Sequence, residues 1–568
     1  MTKYTILSIG PLYDTMILAD NTRALWTASA MFSFLMRDVI LAFKAEDSDA
    51  FVVPNMSNEF SNYLKDGQRA GLFHDRLILT GDRQVVISQA FEDAIEKLSE
   101  VVVEAFKSTQ GKGKHPIVND HKKAYDFVQL DYDENKIKIF IKSYFHSYIA
   151  CVDVPKKKNP ILYLSRYVDV VEYEPRLARY EEEEYLFYFF RIANLTLTKY
   201  FAFLEDMKDD NAKRCFKSLA EISSYELTKN WMEDSELKKV FKPYFCPTIQ
   251  EADALLSLDR DIFEVLQEKF SQELKPYHKY VAIVHGDGDA FGNYLASMGD
   301  DIEKIQQFSD NIFKFASSAK TIIEQSGGEV LVAGGDDLVF FAPVVDGSDN
   351  IFTLINTIDK LFKDIFNDKT LSMSYGISIT YHKYPLQEAM EISFTGLGER
   401  AKKAYWVSMA DDISTMTKEK KENLPAKNAI YINIQKHSGQ SHSLTLHKDT
   451  ALYDNFIGLL KEELNPLDSL HLPHALHHSL ERVATLVNEM PIENIEYFFA
   501  NMFNEDIHEV RHKKALKSIQ DILSILKDDK STEAHYELYH SKDGYSIKKP
   551  SDVIFSILST IKMLRGDA

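Results

Sequence analysis

The chain contains few cysteines and has a deficit of positive charge. Its 568 residues include three cysteines, and no two of them form a CxxC pair. This spacing excludes a cysteine-rich zinc site, argues against a disulfide framework and predicts a reducing, cytoplasmic compartment. The 66 Lys and Arg are outnumbered by 86 Asp and Glu, which gives a net charge of −20. Proteins that bind nucleic acid without the help of partner subunits normally carry a net positive charge. This chain would therefore contact RNA through a local basic surface or through partner subunits.

Long hydrophobic runs are also missing. No apolar run reaches the ~18 residues expected of a membrane span. The N-terminus lacks the basic stretch and long apolar segment of a signal peptide. We therefore expect no membrane partner. Hydrophobic residues nevertheless make up 45% of the chain and aromatic residues 12%, which is enough to fill several cores.

The clearest pattern of secondary structure lies in residues 279–405. An apolar strand ends in His285-Gly286-Asp287-Gly288-Asp289 and is followed by a helix over about 302–325. Two short strands joined by Gly334-Gly335-Asp336-Asp337 predict a hairpin, and a helix (350–366), a strand (371–381) and a helix (386–404) follow. This order, βαββαβ, is that of the ferredoxin-like fold. The N-terminal segment repeats the order more loosely, which suggests a diverged duplication.

The remaining segments complete the predicted architecture. We interpret 22–43 as a helix, 136–141 and 148–152 as strands, most of 176–268 as helical, and 406–428 as an exposed polar insertion. The fold class is therefore α+β, with two ferredoxin-like domains, an intervening helical region and a C-terminal helical bundle. The predicted domains are an N-terminal palm-like domain (1–175), a helical linker (176–275), a catalytic domain (276–445) and a helical domain (446–568).

Two acidic clusters, Asp287-Gly288-Asp289 and Gly335-Asp336-Asp337, are predicted to meet. The first strand and the hairpin of a βαββαβ fold are neighbours in the sheet, so both clusters lie at one edge. Their carboxylates would repel one another unless cations lay between them. Mg²⁺ prefers such oxygen ligands and usually also binds phosphate oxygens of a substrate. The pattern therefore predicts a metal-dependent phosphoryl-transfer site with the metal set Asp287, Gly288, Asp289, Asp336 and Asp337.

These motifs resemble the palm domain shared by GGDEF cyclases and the large subunits of type III CRISPR effector complexes. Several further segments favour the CRISPR family. They are Ile9-Gly10-Pro11, Thr22-Arg23-Ala24-Leu25-Trp26-Thr27-Ala28-Ser29, His285 to Gly292, Tyr381-His382-Lys383-Tyr384-Pro385-Leu386 and Lys427-Asn428-Ala429. The resemblance is nearest to the III-B branch, spans nearly the whole chain and implies two palm domains packed face to face, with ATP bound between them.

The resemblance also implies residue roles. Asp287 and Asp337 would be the primary metal ligands, assisted by Asp336 and Asp289, so that Asp287, Asp336 and Asp337 form the catalytic set. Gly288, Gly334 and Gly335 would make room for the nucleotide. Lys402, in Arg400-Ala401-Lys402-Lys403, would meet triphosphate oxygens. The cofactor would be Mg²⁺ or Mn²⁺, and the substrate ATP.

For function, the resemblance implies an adenylate second messenger made for antiviral defence when the complex binds target RNA. The partners would be the other subunits of a type III-B complex, CRISPR RNA and target RNA. The product is a cyclic oligoadenylate by family default, or a conjugate of AMP with S-adenosylmethionine in some III-B members. Two alternatives stay open: a structural subunit with a silent palm, and a stand-alone GGDEF-type cyclase.

Several histidine patterns match other functional sites, namely a nuclease, a zinc protease or a metal cluster, but each match is incomplete. His74-Asp75 lacks the further histidines of an HD nuclease, so we expect no cleavage of single-stranded DNA by this chain. His508 and His512 match HExxH but lack a third zinc ligand, and Arg511 does not suit a buried zincin helix. His474 and His478 share a helical face without an acidic or cysteine partner nearby.

Overall fold

The structure is a computed structural model, and the part of the chain that it describes is discontinuous. It comprises residues 1–19, 22–57, 60–61, 64, 76–109, 115–117, 126–128, 133–168, 186, 217–245, 261–407, 426–464, 480, 482–502, 510–528, 536–541 and 544–566. The predicted patterns at His74-Asp75, His474, His478 and His508 lie outside these residues.

The N-terminal region contains a four-stranded antiparallel sheet, here called the N-terminal sheet. Its strands are β1 (Thr2–Gly10), β2 (Phe51–Val53), β3 (Arg76–Thr80) and β6 (His146–Val154), and β4 (His115–Ile117) and β5 (Asp126–Val128) form a separate hairpin. Its helices are α1 (Leu12–Ile17), α2 (Thr22–Lys44), α3 (Gln84–Thr109), α4 (Glu134–Tyr144) and α5 (Pro160–Val168). The strand order β2-β3-β1-β6 is the predicted ferredoxin-like order.

One predicted strand in this region is wrong. Residues 136–141 belong to helix α4, not to a strand. Asp133 caps this helix by accepting hydrogen bonds from the backbone N–H groups of Asn135 and Lys136. The residues that α4 buries, Ile137, Phe140, Ile141 and Tyr144, have helical spacing. The buried apolar residues of this segment, Ile137, Phe140 and Ile141, therefore line one helix face, whereas Ile139 is exposed.

Helix α2 is the central core helix of the N-terminal region. Its segment Ala24–Lys44 is long and apolar enough to cross a membrane, contrary to the prediction that no run would qualify, but 83% of its most apolar window is buried inside the protein. The hydroxyl of Ser29 on α2 donates to the carbonyl of Leu331, 2.9 Å away in the second half of the chain. The apolar face of α2 thus joins two parts of the protein.

Short helices connect the N-terminal region to the next sheet. They are α6 (Leu219–Ser223), α7 (Tyr225–Thr228), α8 (Ser235–Phe245) and α9 (Ile262–Lys269), followed by a 3₁₀ turn at Pro276–Lys279. Among the described residues, this linker is helical as predicted. Glu226 anchors it by accepting hydrogen bonds from Tyr277 Oη, at 2.9 Å, and from the backbone N–H of Gly347, at 3.0 Å.

The second sheet, here called the central sheet, has six strands in the order β15-β14-β12-β7-β9-β8. They are β7 (Tyr280–Asp289), β8 (Glu329–Gly334), β9 (Asp337–Pro343), β12 (Ser372–Tyr381), β14 (Ala429–Gln435) and β15 (Ser441–His447). A small hairpin, β10 (Val345–Asp346) and β11 (Asp349–Asn350), follows β9, and the helices are α10 (Phe291–Met298), α11 (Ile302–Gln325), α12 (Ile351–Phe366) and α13 (Leu386–Thr395). The predicted βαββαβ order is present, because β12-β7-β9-β8 repeats the order of the N-terminal sheet.

The C-terminal region is mainly helical but also supplies two strands. Its helices are α14 (Ala451–Glu463), α15 (Ala484–Glu489), α16 (Ile495–Met502), α17 (Val510–Lys527) and α18 (Pro550–Arg565). The strands β16 (Tyr536–Ser541) and β17 (Gly544–Ile547) form a small sheet with β13 (Tyr405–Val407), in which β16 lies between the other two. Trp406, predicted to begin an exposed insertion, is fully buried in this small sheet. The domain boundaries at 175, 275 and 445 stay predictions.

Candidate active site

The two acidic clusters meet at one edge of the central sheet, as their spacing predicts. Asp287 on β7 is in register with Asp337 on β9, and Gly335-Asp336 form the turn between β8 and β9. Gly335 has a φ of +68°, a conformation that favours glycine. The backbone N–H of Gly288 donates to the carbonyl of Asp336 over 3.2 Å, which fixes the turn against β7. We call Asp287, Gly288, Asp289, Asp336 and Asp337 the acidic edge.

Close packing requires glycine at position 288. A Cβ atom there would overlap the ring of Phe291 and lie 3.0 Å from the Cβ of Asp336. Phe291 is itself packed against Phe308 and Phe366, so its ring has no room to move. Any side chain at 288 would therefore push the Asp336 turn away from Asp287.

Asp287 lies in an environment that disfavours its charge. Burial, together with the nearby Asp336, raises its pKa to about 6, although Lys402 acts in the opposite direction. When carboxylates are buried this close together, a bound cation stabilises their charged form strongly. Asp337, by contrast, is exposed at the start of β9.

Lys402 supplies a positive charge to the acidic edge. Its ammonium group forms an ion pair with the Asp287 carboxylate and donates to the carbonyl of Gly288 over 3.1 Å. The backbone places it there through a π-helical turn, Gly396–Ala401, whose last hydrogen bond runs from the Lys402 N–H to the Leu397 carbonyl. Such turns often occur at functional sites.

A buried ion pair holds this π-helical turn in place. The guanidinium of Arg400 donates two hydrogen bonds of 2.5 Å to the carboxylate of Glu537 on β16. Glu537 is only 3% exposed. The C-terminal region therefore supports the backbone that carries Lys402, a contact that no motif in the sequence indicates.

Asp289 serves partly as an anchor. Its Oδ2 atom accepts hydrogen bonds from the hydroxyls of Ser372 and Ser374, each at 2.8 Å, and from the backbone N–H of Asn428 at 3.0 Å. Its Oδ1 atom is buried without a hydrogen-bond partner. Sequence reasoning missed the two serines. Their two-residue spacing on β12 places both on the same face of the sheet, where Ser372 is in register with Asp289 and Ser374 with Asp287.

The donors of the acidic edge fit a divalent cation in part. The Gly288 carbonyl and the Asp287 carboxylate already converge on one cationic group, the Lys402 ammonium, and Asp289 Oδ1 is an oxygen in need of a partner. Within the described ranges, however, no cluster of three or more His, Cys, Asp or Glu side chains is arranged to hold a metal ion. Mg²⁺ is commonly bound by one or two carboxylates plus substrate phosphates, so phosphate oxygens would complete the coordination.

The N-terminal sheet packs close to the acidic edge. A small cavity is lined both by Arg76, the first residue of β3, and by Gly335 of the turn. Asn55 reinforces the contact, because its side-chain N–H donates to Asp310 over 2.6 Å and its backbone N–H donates to Ser309 over 3.2 Å. Arg76 is in register with Ser8 on β1. The position that holds two carboxylates in the central sheet thus holds a serine and an arginine here.

A ferredoxin-like sheet with carboxylates between its first and third strands defines a palm-type domain. Residues 280–406 match the family described as Cas10/Cmr2, second palm domain. A type III-B Cmr-beta chain solved by cryo-EM in the apo state is 12% identical, with a TM-score of 0.58 over 100% of this chain and 82% of that one. A Cmr-beta chain bound to cognate target RNA is also 12% identical, with a TM-score of 0.58 over 99% of this chain and 83% of that one. No curated protein matches the chain.

These similarities show the fold and a match to one domain family. Residues 280–406 match the second palm domain of the Cas10/Cmr2 family, and the chain shares its fold with the type III-B Cmr-beta chain. The predicted family resemblance and the α+β fold class are thereby confirmed. The roles of Asp287, Asp336, Asp337 and Lys402 stay predictions, now supported by their geometry.

Proposed function

We propose that this chain is the nucleotidyltransferase subunit of a type III CRISPR ribonucleoprotein and makes an adenylate second messenger from ATP. One observation carries the proposal: the register pair Asp287 and Asp337, the Asp336 turn and Lys402 meet at one edge of the central sheet. Phosphoryl transfer depends mainly on positioning and charge neutralisation, and this edge offers groups for both.

The residues divide the chemistry among them. Mg²⁺ or Mn²⁺ would be held by the carboxylates of Asp287, Asp336 and Asp337 and by the carbonyl of Gly288. Asp289 Oδ1 belongs to the same acidic edge and is a further oxygen that could contact the metal. When bound, the metal would neutralise phosphate charge and lower the pKa of the attacking ribose hydroxyl. The hydroxyl attacks the α-phosphorus of ATP, a new P–O bond forms, and pyrophosphate leaves. Gly334 and Gly335 leave the space above the turn free for the nucleotide.

Lys402 changes partner in this scheme. Without nucleotide, its ammonium neutralises Asp287. With Mg·ATP bound, Asp287 would be neutralised by the cation, and the Lys402 ammonium would be free to meet the triphosphate oxygens. An ammonium group is a compact point charge on a flexible stem, which suits such an exchange.

The acceptor lies on the side of the N-terminal sheet. Arg76 is the charged residue of that sheet that shares a cavity with the Gly335 turn. A guanidinium binds phosphate and repels a cation, so it favours a second ATP over the sulfonium of S-adenosylmethionine as acceptor. We therefore propose a cyclic oligoadenylate as the product.

Partner subunits and location follow from charge and composition. With a net charge of −20, the chain depends on basic neighbours to hold CRISPR RNA and target RNA. The three cysteines suit a reducing cytoplasm. Activity is expected only in the assembled complex with target RNA bound.

Mass spectrometry of the products tests the proposal. The assembled complex is incubated with Mg²⁺ and ATP, with or without target RNA, and in a further reaction with S-adenosylmethionine added. We expect cyclic oligoadenylate from ATP alone, only with target RNA, and unchanged by the second compound. A conjugate formed at the expense of cyclic product would overturn the assignment of the acceptor. The absence of any AMP transfer would leave a structural subunit, and GTP-specific turnover without RNA would indicate a cyclase of the GGDEF type.

A further inference from the structure

A second cavity lies at the opposite end of the central sheet from the acidic edge. Its volume is about 480 Å³, and its lining includes Lys275, Lys279, Tyr280, Tyr381 and His437. Tyr280 begins β7, and Asp287 follows seven residues later on the same strand, which at ~3.3 Å per residue separates the two sites by roughly 23 Å. We call this space the basic cavity.

The charge of the basic cavity departs from that of the chain as a whole. None of the described residues that line it is acidic, although the protein carries a net charge of −20. Within the described part of the chain, the ammonium groups of Lys275 and Lys279 have no carboxylate partner at ion-pair distance. Lys436, beside His437, has its pKa lowered by burial and by the neighbouring Lys562. Several cations therefore lie together at this end of the sheet, and one of them, the Lys279 ammonium, lies 6.0 Å from the centroid of the Phe263 ring.

The aromatic walls of the cavity are held in place. The rings of Tyr381 and His437 meet edge to face with centroids 4.7 Å apart, and those of Tyr280 and Tyr381 do so at 6.0 Å. The backbone N–H of His437 donates to the hydroxyl of Tyr280 over 3.2 Å, which fixes the β14–β15 turn against β7. Tyr280 is buried, Tyr381 is half-buried and His437 is exposed, so ring surface faces the opening.

We propose that the basic cavity is a second nucleotide-binding site, distinct from the acidic edge. Its ligand is a nucleotide whose base stacks on one of the two rings, Tyr381 or His437, and contacts the edge of the other, and whose phosphate meets Lys275 and Lys279. Aromatic side chains with neighbouring lysines bind single-stranded nucleic acid in a manner that tolerates different bases. The volume lies within the range of about 300–1,000 Å³ that is usual for small-ligand sites. The nucleotide can come from single-stranded RNA or from a free mononucleotide.

The two sites differ in their need for metal, and this permits a clean test. Without a divalent cation the acidic edge repels phosphate, whereas the lysines of the basic cavity still attract it. Binding to the full-length chain is therefore measured in EDTA, by fluorescence anisotropy of a 3′-labelled dodecamer of uridylate. AMP is the competitor in a parallel titration. The Asp336→Ala/Asp337→Ala variant is measured alongside, so that a failure of one proposal does not affect the other.

The decisive variant reverses two charges of the cavity. Lys275→Glu/Lys279→Glu is expected to weaken RNA binding at least tenfold and to reduce the salt dependence of the binding constant. Lys314→Glu/Lys360→Glu, on the exposed faces of α11 and α12, makes the same change in net charge and should stay within twofold of wild type. Tyr381→Leu should weaken binding about tenfold without changing the salt dependence.

Each outcome decides a point. Three outcomes would overturn the proposal. The charge-reversal variant could bind RNA as well as the wild type, the control variant could lose as much affinity as the charge-reversal variant, or the wild type could bind neither probe. Competition by AMP identifies a free mononucleotide as a ligand, and RNA binding without competition identifies the RNA chain as the source. Circular dichroism and thermal unfolding verify that each variant is folded.

Discussion

The N-terminal sheet and the central sheet have the same order of four strands, yet their chemistry differs where the first and third strands meet. In the central sheet that position pairs Asp287 with Asp337, and in the N-terminal sheet it pairs Ser8 with Arg76. The connection between the second and third strands also differs. A two-residue turn joins β8 to β9, whereas 22 residues separate β2 from β3. One fold thus carries an acidic edge in one sheet and, in the other, an arginine that lines a cavity beside it.

The difference shows how a duplicated fold can divide one reaction. A donor nucleotide requires charge neutralisation and close backbone approach, which in the proposed scheme the glycines and carboxylates of the central sheet would provide. An acceptor requires orientation, for which one guanidinium and a packed interface are enough. The comparison therefore predicts that equivalent substitutions in the two sheets have unequal effects on turnover.

The largest effect is expected at Asp287. Asp287→Asn removes a charge that is proposed to hold the metal and should lower adenylyl transfer by about 10³-fold or more. Ser8→Ala, the matched change in the N-terminal sheet, should stay within about threefold. The assay is the release of labelled pyrophosphate by the assembled complex, and equal losses in both variants would refute the division of roles.

A smaller effect is expected at Lys402. Lys402→Met should lower turnover by about 10- to 100-fold, because triphosphate oxygens lose a cationic partner. It should also bind Mn²⁺ more tightly in the absence of nucleotide, since no ammonium competes for Asp287 and Gly288. Electron paramagnetic resonance of free Mn²⁺ measures this directly. Weaker Mn²⁺ binding in the variant would show that Lys402 does not occupy the cation position.

Arg76 tests the facing side. Arg76→Ala should reduce turnover by about tenfold, mainly through the KM of the acceptor, and Arg76→Lys should restore part of it. Ser165→Ala, which removes the hydroxyl that accepts a 3.2 Å hydrogen bond from Arg76, serves as the control for altered packing. A loss in kcat with unchanged KM would place Arg76 outside acceptor binding.

The smallest effect on turnover is expected at Glu537, where the effect on stability is larger. Glu537→Gln leaves Arg400 with a neutral partner in a buried site and should lower the free energy of unfolding by about 2–3 kcal/mol. Turnover should fall only a few-fold, because Lys402 keeps its own contacts. Chemical denaturation measures the first quantity. Unchanged stability would mean that the pair is solvated in solution.

The sequence predicted the acidic edge because each part of it follows from local pattern. The motifs Asp287-Gly288-Asp289 and Gly335-Asp336-Asp337 end or join apolar strands, and the βαββαβ order alone brings them together. Lys402 was predicted from the family resemblance, but its contact with the Gly288 carbonyl depends on a π-helical turn that no periodicity reveals.

Other features could not be predicted because they depend on distant partners. Asp289 is anchored by Ser372, Ser374 and Asn428, which lie 83 to 139 positions along the chain. The polar residues that follow Trp406 predict an exposed position, yet its ring stacks on His447 and packs in a cluster with Leu397, Ala401 and Ala429. Residues 136–141 resemble a strand in composition, and only the Asp133 cap and the burial of every third or fourth residue distinguish the helix.

The most direct test of the central claim is pyrophosphate release by the complex that carries Asp336→Ala/Asp337→Ala. Both residues lie at the polar edge of the sheet, so assembly and RNA binding should be preserved. We expect the variant to show no turnover above that of the EDTA-treated wild type. Mg²⁺ or Mn²⁺ should restore the activity of the wild type and leave the variant inactive. Metal-dependent ATP turnover that persists in the double variant would contradict it.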